Sequence, residues 1–416
     1  MNRERMLQRF LQYVQMDTTA NEKVDGYPSS TGQLTLGQLL VKQMLEMGIS
    51  DAAQDDHGIV MGTVPANKPG KFPVVALNSH FDTSPETTGA NVQPQVIKNH
   101  DGSDIRLTGD TTKVITSATC PELKKCVGHT IITTDGTTLL GADDKAGLAI
   151  IMELANHLIE NPEIPHGPVR LLFTCDEEIG RGTLHVDLKK LGADVCYTFD
   201  GGGIDQIDNE TFSADLAVVT IQGINIHPSI AKGKMINAVR VTGQLLEKFP
   251  AGLAPERTEG RDGFLHPYTI EGGVGQVVIK TLLRDFVTAR LADHAAVIRR
   301  AAAEVEHDNP GCKINVEVRA QYRNMADGLL REPRAVGYAV EAHKRLGRTS
   351  ELTIVRGGTD GSQFTEKGLP TPNLSSGQHN IHSPLEWASL DEMLAACEVG
   401  VEIVRRWGEE GGIADF

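Results

Sequence analysis

The feature that most constrains the fold is a repeated order of residues: a short apolar run, then acidic or histidine residues, then glycine. Apolar runs at 74–77, 169–174 and 195–199 are followed by His80, by a Cys-Asp-Glu-Glu run and by Asp200. Continuous apolar runs of this length are typical of buried, largely parallel strands. Open α/β sheets bind ligands at the carboxyl ends of their strands. The sequence therefore predicts an α/β fold whose chemistry is collected at one edge of a mixed, mostly parallel sheet.

Two adjacent carboxylates, Asp143 and Asp144, stand where a helical pattern over 145–158 begins. The N-terminus of a helix stabilises anions. Two acids at one helix start nevertheless repel each other unless a cation lies between them. This repulsion predicts a metal ion bound by Asp143, with Asp144 as a helix-start acid or hydrogen-bond partner.

Further candidate ligands fall at predicted strand ends or in polar loops: His80 with Asp82, Glu177 with Glu178, Asp200, and the late His382. Each motif alone is weak, but together they form the imidazole and carboxylate set that zinc or a similar divalent ion prefers. Adjacent residues point apart, so one of Glu177 and Glu178 can bind metal while the other acts as a general base. Asp82, two residues from His80, suits a partner that orients the imidazole.

A change of pattern after residue 210 predicts a second domain. From 211 to 322 the order is strand, helix, two strands, helix, strand, which matches a ferredoxin-like unit with a loop excursion at 250–273. We expect this domain to be inserted between two parts of a catalytic domain, 1–210 and 323–416. A polar loop is expected over 376–383, and the acidic, glycine-rich tail 408–416 is expected to fray.

Composition excludes several classes of function. The formal net charge of -15, with 40 Lys and Arg against 55 Asp and Glu, disfavours nucleic acid as a partner. No run approaches the roughly 18 apolar residues of a membrane-spanning helix. Six cysteines without C-x-x-C spacing indicate reduced thiols and a cytoplasmic location. A Cys-type metal site at Cys120 and Cys126 is disfavoured, because no matching pair accompanies them.

As a set, the motifs resemble the di-zinc metallopeptidase family of aminoacylases and glutamate-carboxypeptidase-type enzymes. The stretches that carry the resemblance are 80–82, 141–147, 176–180, 200–203 and His382. Stretches at 225–233, 235–238, 270–272, 283–286 and 356–361 narrow it to the tripeptide aminopeptidases of that family. The similarity covers essentially the whole chain. It implies a zinc-exopeptidase-like catalytic domain with an inserted lid.

The resemblance implies roles for individual residues. His80, Asp143 and Asp200 would hold one zinc ion, and Asp143, Glu178 and His382 the second ion of each subunit. Glu177 would be the general base, and Asp82 would orient His80. The residues implied in substrate binding are His227, Asn237, Arg284 and Arg356. The implied reaction is release of the N-terminal residue from a short peptide, most simply a tripeptide, by a metal-bridged hydroxide.

One departure from the family pattern keeps alternatives open. In the loop before the last ligand, His379 and Ile381 replace two tyrosines, so His379 could compete with His382 for the metal. A related dipeptidase, carboxypeptidase or amide deacylase remains an alternative, as does an inactive metal- or peptide-binding protein. A nucleotide enzyme is disfavoured, because Gly201–Gly203 lacks the G-x-G-x-x-G spacing. The expected partners are a short peptide and, through the lid, a second copy of the chain, but neither nucleic acid nor a membrane.

Overall fold

The computed structural model describes residues 1–410. The chain divides into two compact units. The first comprises 1–209, 325–353 and the residues from 359 onward, and the second comprises 210–324 and 354–358. In the described part of the chain, no helix is both long enough and apolar enough to span a membrane.

Within residues 1–410 the α-helices are α1 (Arg3–Val14), α2 (Thr31–Glu46), α3 (Ala142–Glu160), α4 (Leu188–Leu191), α5 (Ala238–Glu247), α6 (Arg290–Asp308), α7 (Ala326–Leu329), α8 (Arg334–Arg345), α9 (Asp360–Glu366) and α10 (Leu390–Glu409). The strands are β1 (Ala53–Gln54), β2 (Val60–Val64), β3 (Val75–His80), β4 (Gln95–Ile97), β5 (Ile105–Arg106), β6 (Val114–Ile115), β7 (Ile131–Thr133), β8 (Val169–Thr174), β9 (Val195–Gly202), β10 (Gln206–Thr211), β11 (Ser213–Gln222), β12 (Phe264–Gly272), β13 (Gln276–Asp285), β14 (Lys313–Tyr322), β15 (Glu351–Val355), β16 (Asn373–His379) and β17 (Trp387–Ser389).

The first unit is built on a sheet whose main path runs β1-β2-β8-β3-β9-β16-β17-β7-β4. Its centre is parallel, because β3 pairs in parallel with β8 and β9, and β9 pairs in parallel with β16. The outer pairs are antiparallel. The carboxyl ends of β3, β8 and β9 therefore lie at one edge of the sheet, as the sequence predicted.

Helices cover both faces of this sheet. Val75 and Leu77 of β3 belong to a large core that also contains residues of α1, α3, α8 and α10. Ala76 faces the opposite way, into a smaller core with Leu191 of α4 and Phe364 of α9. Side chains alternate along a strand, so a strand buried on both faces has no polar side. This burial explains the continuous apolar runs and confirms the α/β class.

The second unit contains a four-stranded antiparallel sheet in the order β12-β13-β11-β14, with α5 and α6 packed against it. The order along the chain is strand, helix, two strands, helix, strand, as expected of a ferredoxin-like unit. One expectation was wrong: β12 (Phe264–Gly272) lies within the predicted loop, and 274–286 contains one strand instead of two. The sheet tolerates Pro267 because β12 is an edge strand with an irregular register at that residue.

Other differences arise where tertiary contacts override a polar sequence. The predicted loop over 376–383 begins as strand, because β16 continues to His379 and pairs with β17. Buried Ser376 and Gln378 donate there to main-chain oxygens of Gly201 and Asp200. The tail 408–416 was expected to fray, and this was wrong for its first residues, because α10 continues to Glu409. Residues 411–416 lie outside the described residues.

A buried hydrogen-bonded chain beneath β9 provides a test of this packing. Trp407 Nε1 donates to the Tyr197 hydroxyl at 3.0 Å, and that hydroxyl donates to the Ala335 main-chain oxygen at 2.8 Å. Tyr197→Phe leaves the buried Trp407 Nε1–H without its acceptor and removes one donor from the Ala335 oxygen, so we expect the free energy of unfolding to fall by about 1–3 kcal/mol. Urea unfolding followed by tryptophan fluorescence measures this loss, because Trp387 and Trp407, the protein's two tryptophans, both lie in the first unit.

Tyr338→Phe is the matched control, because Tyr338 also packs on Trp407, with 4.8 Å between ring centroids, but stands outside this chain of hydrogen bonds. A larger loss for Tyr338→Phe than for Tyr197→Phe would contradict the assignment.

Candidate active site

The loop before α3 positions Asp143. Its main-chain amides converge on one buried carboxylate: Glu386 accepts hydrogen bonds from Leu140 at 2.7 Å, from Gly141 at 2.8 Å and from Asp143 at 3.1 Å. Asp143 and Asp144 have non-helical backbone angles, so they form the entry to the helix and not its first regular turn. The buried Glu386 therefore fixes the direction in which the Asp143 side chain points.

The Asp143 carboxylate lies between two sets of side chains. Its Oδ1 is 3.2 Å from Nε2 of His80, and its Oδ2 is 3.1 Å from Nε2 of His382. The same His80 nitrogen is 3.7 Å from Oδ1 of Asp200, and the His382 nitrogen is 3.0 Å from Oε2 of Glu178. The structure thus brings together all five predicted metal ligands, from the ends of β3, β8 and β9, the start of α3 and the loop after β16.

Two groups in this cluster have the composition of a metal site. Asp143, Glu178 and His382 form one, and His80, Asp144 and Asp200 form the other, with the ligand atoms of each group within 4.8 Å of one another. Asp144 lies closer to His80 than the sequence indicated, since the His80 main-chain amide donates to its Oδ2 at 3.3 Å. That Asp143, and not Asp144, binds a metal ion together with His80 and Asp200 stays a prediction.

The electrostatics of the cluster suit bound cations. Burial raises the pKa of Glu178 and of Asp200, and the nearby Asp143 carboxylate raises both further. Although burial works to raise it, the pKa of Asp143 is lowered by the imidazoles of His382 and His80. Oε1 of Glu178 is buried and has no hydrogen-bond partner among residues 1–410. Buried carboxylates with too little positive charge around them fit a divalent metal.

The turn after β8 is held by Asp82. Its two carboxylate oxygens accept hydrogen bonds from the main-chain amides of Glu177 and Glu178, each at 3.0 Å. His80 Nδ1 lies 3.1 Å from the Asp82 main-chain oxygen and 3.5 Å from its Oδ1. Because a carbonyl only accepts, Nδ1 carries the proton and the lone pair of Nε2 is left for a metal. Asp82 thus lies beside His80, its predicted partner, and also fixes the main chain of both glutamates; its role in orienting His80 stays a prediction.

The loop after β16 selects His382 over His379. His382 Nδ1 is 3.2 Å from Oε2 of Glu86, and its main-chain oxygen accepts from Thr87 at 2.7 Å. His379 points elsewhere: its Nε2 is 2.6 Å from Oε2 of Glu392, and its ring stacks on Trp387. His379 therefore does not join the candidate ligands beside Asp143.

Sequence reasoning missed two residues around the site. Glu86 had no signal, because nothing local relates it to His382, 296 residues later. Glu386 had a weak signal that was not used: it is an acidic residue only four positions after His382, in the Ser-Pro-Leu-Glu run.

The predicted substrate residues all lie in the second unit. His227 is exposed, and its Nδ1 is 2.7 Å from the hydroxyl of Ser229. Asn237 caps α5, with Oδ1 accepting from the Val239 amide at 3.0 Å. This cap accounts for Asn237 structurally, and the substrate role of both residues stays a prediction.

The two predicted arginines differ in what already surrounds them. Arg356 donates to the main-chain oxygens of Gly260 and Asp262, both at 2.9 Å, and to Thr258 at 2.8 Å. Its guanidinium also lies over the rings of two phenylalanines. Arg284 lies over the Tyr322 ring at 5.3 Å, and its buried Nε has no hydrogen-bond partner among residues 1–410. Arg284 therefore retains more capacity to bind an added anion.

Comparison with known proteins agrees with this fold and identifies a family. Residues 134–406 match the model of the family described as Peptidase family M20/M25/M40. Peptidase T of Bacillus subtilis strain 168 is 42% identical over 405 residues, which are 97% of this chain and 99% of the relative. The crystal structure of aminopeptidase PepT from Bacillus cereus ATCC 10987 matches with a TM-score of 0.74 at 26% identity, covering 98% of this chain and 99% of that chain.

A tripeptidase structure from Staphylococcus aureus subsp. aureus Mu50 has the same fold, with a TM-score of 0.77 at 23% identity over 98% of this chain and 99% of that chain. Together, fold and site define a hydrolase of the metallopeptidase class. The chain belongs to the peptidase family M20/M25/M40. The family resemblance seen in the sequence is confirmed.

The role of Glu386 in placing Asp143 is testable. Glu386→Gln puts an amide NH₂ against main-chain amides that need an acceptor, so the loop should shift and carry Asp143 with it. We expect metal affinity or activity to fall by about 10–100-fold, as for other residues that support metal ligands. Competition with a chromophoric chelator measures the affinity.

Glu402→Gln serves as the control, because Glu402 is also nearly buried but pairs with Arg345 in α8. Unchanged metal affinity and activity in Glu386→Gln would rule out the positioning role.

Proposed function

We propose that the protein is a zinc-dependent aminopeptidase that removes the N-terminal residue from short peptides, above all tripeptides. The observation that carries the proposal is the Asp143 carboxylate, whose two oxygens lie 3.2 Å from His80 and 3.1 Å from His382. One carboxylate facing two imidazoles on opposite oxygens suits a ligand shared by two ions. The 42% identity to Peptidase T supports this particular peptidase activity.

In this proposal His80, Asp143 and Asp200 hold one zinc ion, and Asp143, Glu178 and His382 hold the other. Imidazole and carboxylate ligands without thiolate are typical of catalytic zinc. When bound, such ions polarise a substrate carbonyl and make water more acidic.

Glu177 would act as the general base. Its main-chain amide is fixed by Asp82, and burial raises the pKa of its carboxyl well above the usual value, which favours uptake of a proton. Its carboxylate would take a proton from the attacking water and deliver it to the nitrogen of the leaving amine. Glu178, held by the other oxygen of Asp82, would remain a ligand.

The second unit would recognise the substrate. We infer that Arg284 binds the C-terminal carboxylate of the peptide, since a guanidinium matches a carboxylate in shape and charge. His227 would contact the scissile carbonyl and stabilise its developing negative charge. Dimerisation through this unit and a cytoplasmic location belong to the same proposal, and six cysteines without a disulfide among the described residues fit a reducing compartment.

A peptide panel separates this activity from its relatives. The purified, zinc-loaded protein is incubated with tripeptides that are free, N-acetylated or C-amidated, and products are identified by mass. We expect release of the first residue from peptides with a free amino terminus, loss of activity with a chelator, and recovery with zinc. Cleavage of N-acetylated peptides would instead favour a carboxypeptidase or deacylase.

Glu177→Gln tests the general base. We expect kcat to fall by about 10²–10⁴-fold, because proton transfer is lost. Metal content should be unchanged, since Glu177 is not a ligand in this proposal. Loss of metal from Glu177→Gln, or turnover close to wild type, would contradict its role as base. Bound zinc without turnover of any peptide by the wild-type protein would favour a binding protein.

Arg284→Met tests substrate recognition. Loss of one charge-assisted interaction, worth about 1.5–3 kcal/mol, should lower kcat/KM for free tripeptides by about 10–100-fold. C-amidated tripeptides should be affected far less, because they lack the carboxylate. Arg356→Met is the comparison, and we expect it to destabilise the second unit without this selectivity. Equal effects of Arg284→Met on both kinds of peptide would contradict the assignment.

A further inference from the structure

A second kind of metal-ligating group lies in the first unit and shares no residue with the catalytic cluster. It consists of Cys126, His129 and Glu392, whose ligand atoms all lie within 4.8 Å of one another. Cys126 ends a short 3₁₀-helix (Pro121–Cys126), and Glu392 lies in the first turn of α10. The group therefore brings together a long irregular segment of the chain and the start of its last helix.

A tight turn places the first two ligands. Cys126 and His129 are separated by two residues, and the His129 amide donates to the Cys126 main-chain oxygen at 3.1 Å. Gly128 makes the turn with a φ of +86°, a conformation that other residues rarely adopt. Structural zinc sites commonly take two ligands from such a closely spaced pair. The spacing is C-x-x-H, which a search for paired cysteines does not detect.

One nitrogen of the His129 imidazole has a hydrogen-bond partner. Its Nδ1 lies 2.9 Å from the hydroxyl of Ser389, the residue that caps α10. With Nδ1–H donating to that hydroxyl, the lone pair of Nε2 is available to an ion. His129 is half-buried, so the open side of the group is accessible to water.

The third ligand, Glu392, is held by a neighbour on its other oxygen. Glu392 is buried, and its Oε2 is 2.6 Å from Nε2 of His379, whose ring stacks on Trp387 at 3.8 Å between centroids. Its Oε1 is then directed to the Cys126 sulfur, 3.6 Å away. His379, which in the sequence competed for the catalytic metal, is thus a positioning residue for Glu392.

A further histidine beside the turn has an unsatisfied nitrogen. The main chain of His100 is bonded to Gly128 at 2.7 Å and to His129 at 2.9 Å. His100 is buried, and its Nε2 has no hydrogen-bond partner within residues 1–410. Buried polar atoms without a partner call for an ion or a water molecule. This observation is independent of the three ligands.

We propose that Cys126, His129 and Glu392 bind a divalent transition-metal ion of the zinc type, in addition to the catalytic ions. One thiolate, one imidazole and one carboxylate make a borderline-soft ligand set, which selects zinc over magnesium or calcium. Bound there, the ion fastens the segment ending at His129 to the start of α10. Through Glu392 and His379 the ion would also stabilise β16, the strand that precedes His382.

Cobalt distinguishes this site from the catalytic one. A thiolate bound to Co²⁺ gives a sulfur-to-cobalt charge-transfer band in the near ultraviolet, and the catalytic ligands contain no sulfur. The full chain is stripped with a chelator and titrated with Co²⁺, and its zinc content is measured separately after reconstitution with Zn²⁺. We expect the wild type to show the band and to hold one ion more than the catalytic cluster accounts for.

Cys126→Ser should lose the band and one equivalent of metal while retaining peptidase activity on tripeptides. Cys312→Ser is the matched control, because Cys312 is an equally buried cysteine in the core of the second unit. It should keep both the band and the metal content of the wild type.

His129→Gln provides a second variant, at a half-buried position that tolerates substitution, and it should also bind one ion fewer. The melting temperature of the metal-stripped wild type should rise when zinc is restored. In His129→Gln this rise should be smaller, because the contribution of the additional ion is missing.

The proposal is overturned if the wild type shows no charge-transfer band, or if Cys126→Ser and His129→Gln bind as many ions as the wild type. In either case the group is a hydrogen-bonded chain from the Cys126 thiol through Glu392 to His379. Because the band depends only on the thiolate, it is independent of the proposed aminopeptidase activity. An inactive protein with the band would contradict the proposed function and leave the additional site standing.

Discussion

The mutual repulsion of carboxylates around Asp143 is the constraint on which the site depends. Two like charges about 4 Å apart repel by about 4 kcal/mol at an effective dielectric constant of about 20. The fold holds these groups together with neutral main-chain donors: amides of the α3 loop converge on Glu386, and amides of the Glu177–Glu178 turn converge on Asp82. The acids that face the site are thereby positioned without being neutralised. Such an arrangement suits bound cations.

The two metal-ligating environments differ in a way that matches their proposed roles. The proposed catalytic cluster around Asp143 contains imidazoles and carboxylates, and the side chain of His382 within it is 31% exposed. Such ligands leave coordination positions for water and substrate. The group at Cys126 contains a thiolate-forming residue and lies where two distant chain segments meet, as is typical of structural zinc. The first unit would then bind metal ions for two purposes, catalysis and the stabilisation of its fold.

His379, which departs from the family pattern, has a defined structural position. In the sequence it stands three residues before the last ligand, and spacing alone made it a rival for the metal. In the fold it belongs to β16, so its side chain is directed to Glu392 and Trp387. The turn after the strand, where His382 has a φ of 62°, carries the next histidine to Asp143. Strand pairing with β17 thus directs His379 away from Asp143 and supports His382, the histidine already preferred from the sequence, as the candidate ligand.

Much of the fold followed from local pattern. The apolar run at 169–174 coincides with β8, because burial on both faces of a strand leaves a clear signal in the sequence. β10 and β12 gave no such signal. β12 is an edge strand with a proline, and its stability comes from pairing with β13. Strands of this kind depend on a neighbouring strand for their hydrogen-bond partners.

The candidate ligands and their order along the chain were determined by the sequence alone, because each lies at a predicted strand end, at a helix start or in a polar loop. Tertiary structure decided which of them meet. His382 reaches Asp143 across 239 residues of chain, and Glu386 reaches the Gly141 amide across 245. The involvement of Asp144 and the grouping of Cys126 with Glu392 were decided in the same way. Contacts between distant segments are set by the packing of the sheet and its helices, and no local pattern records them.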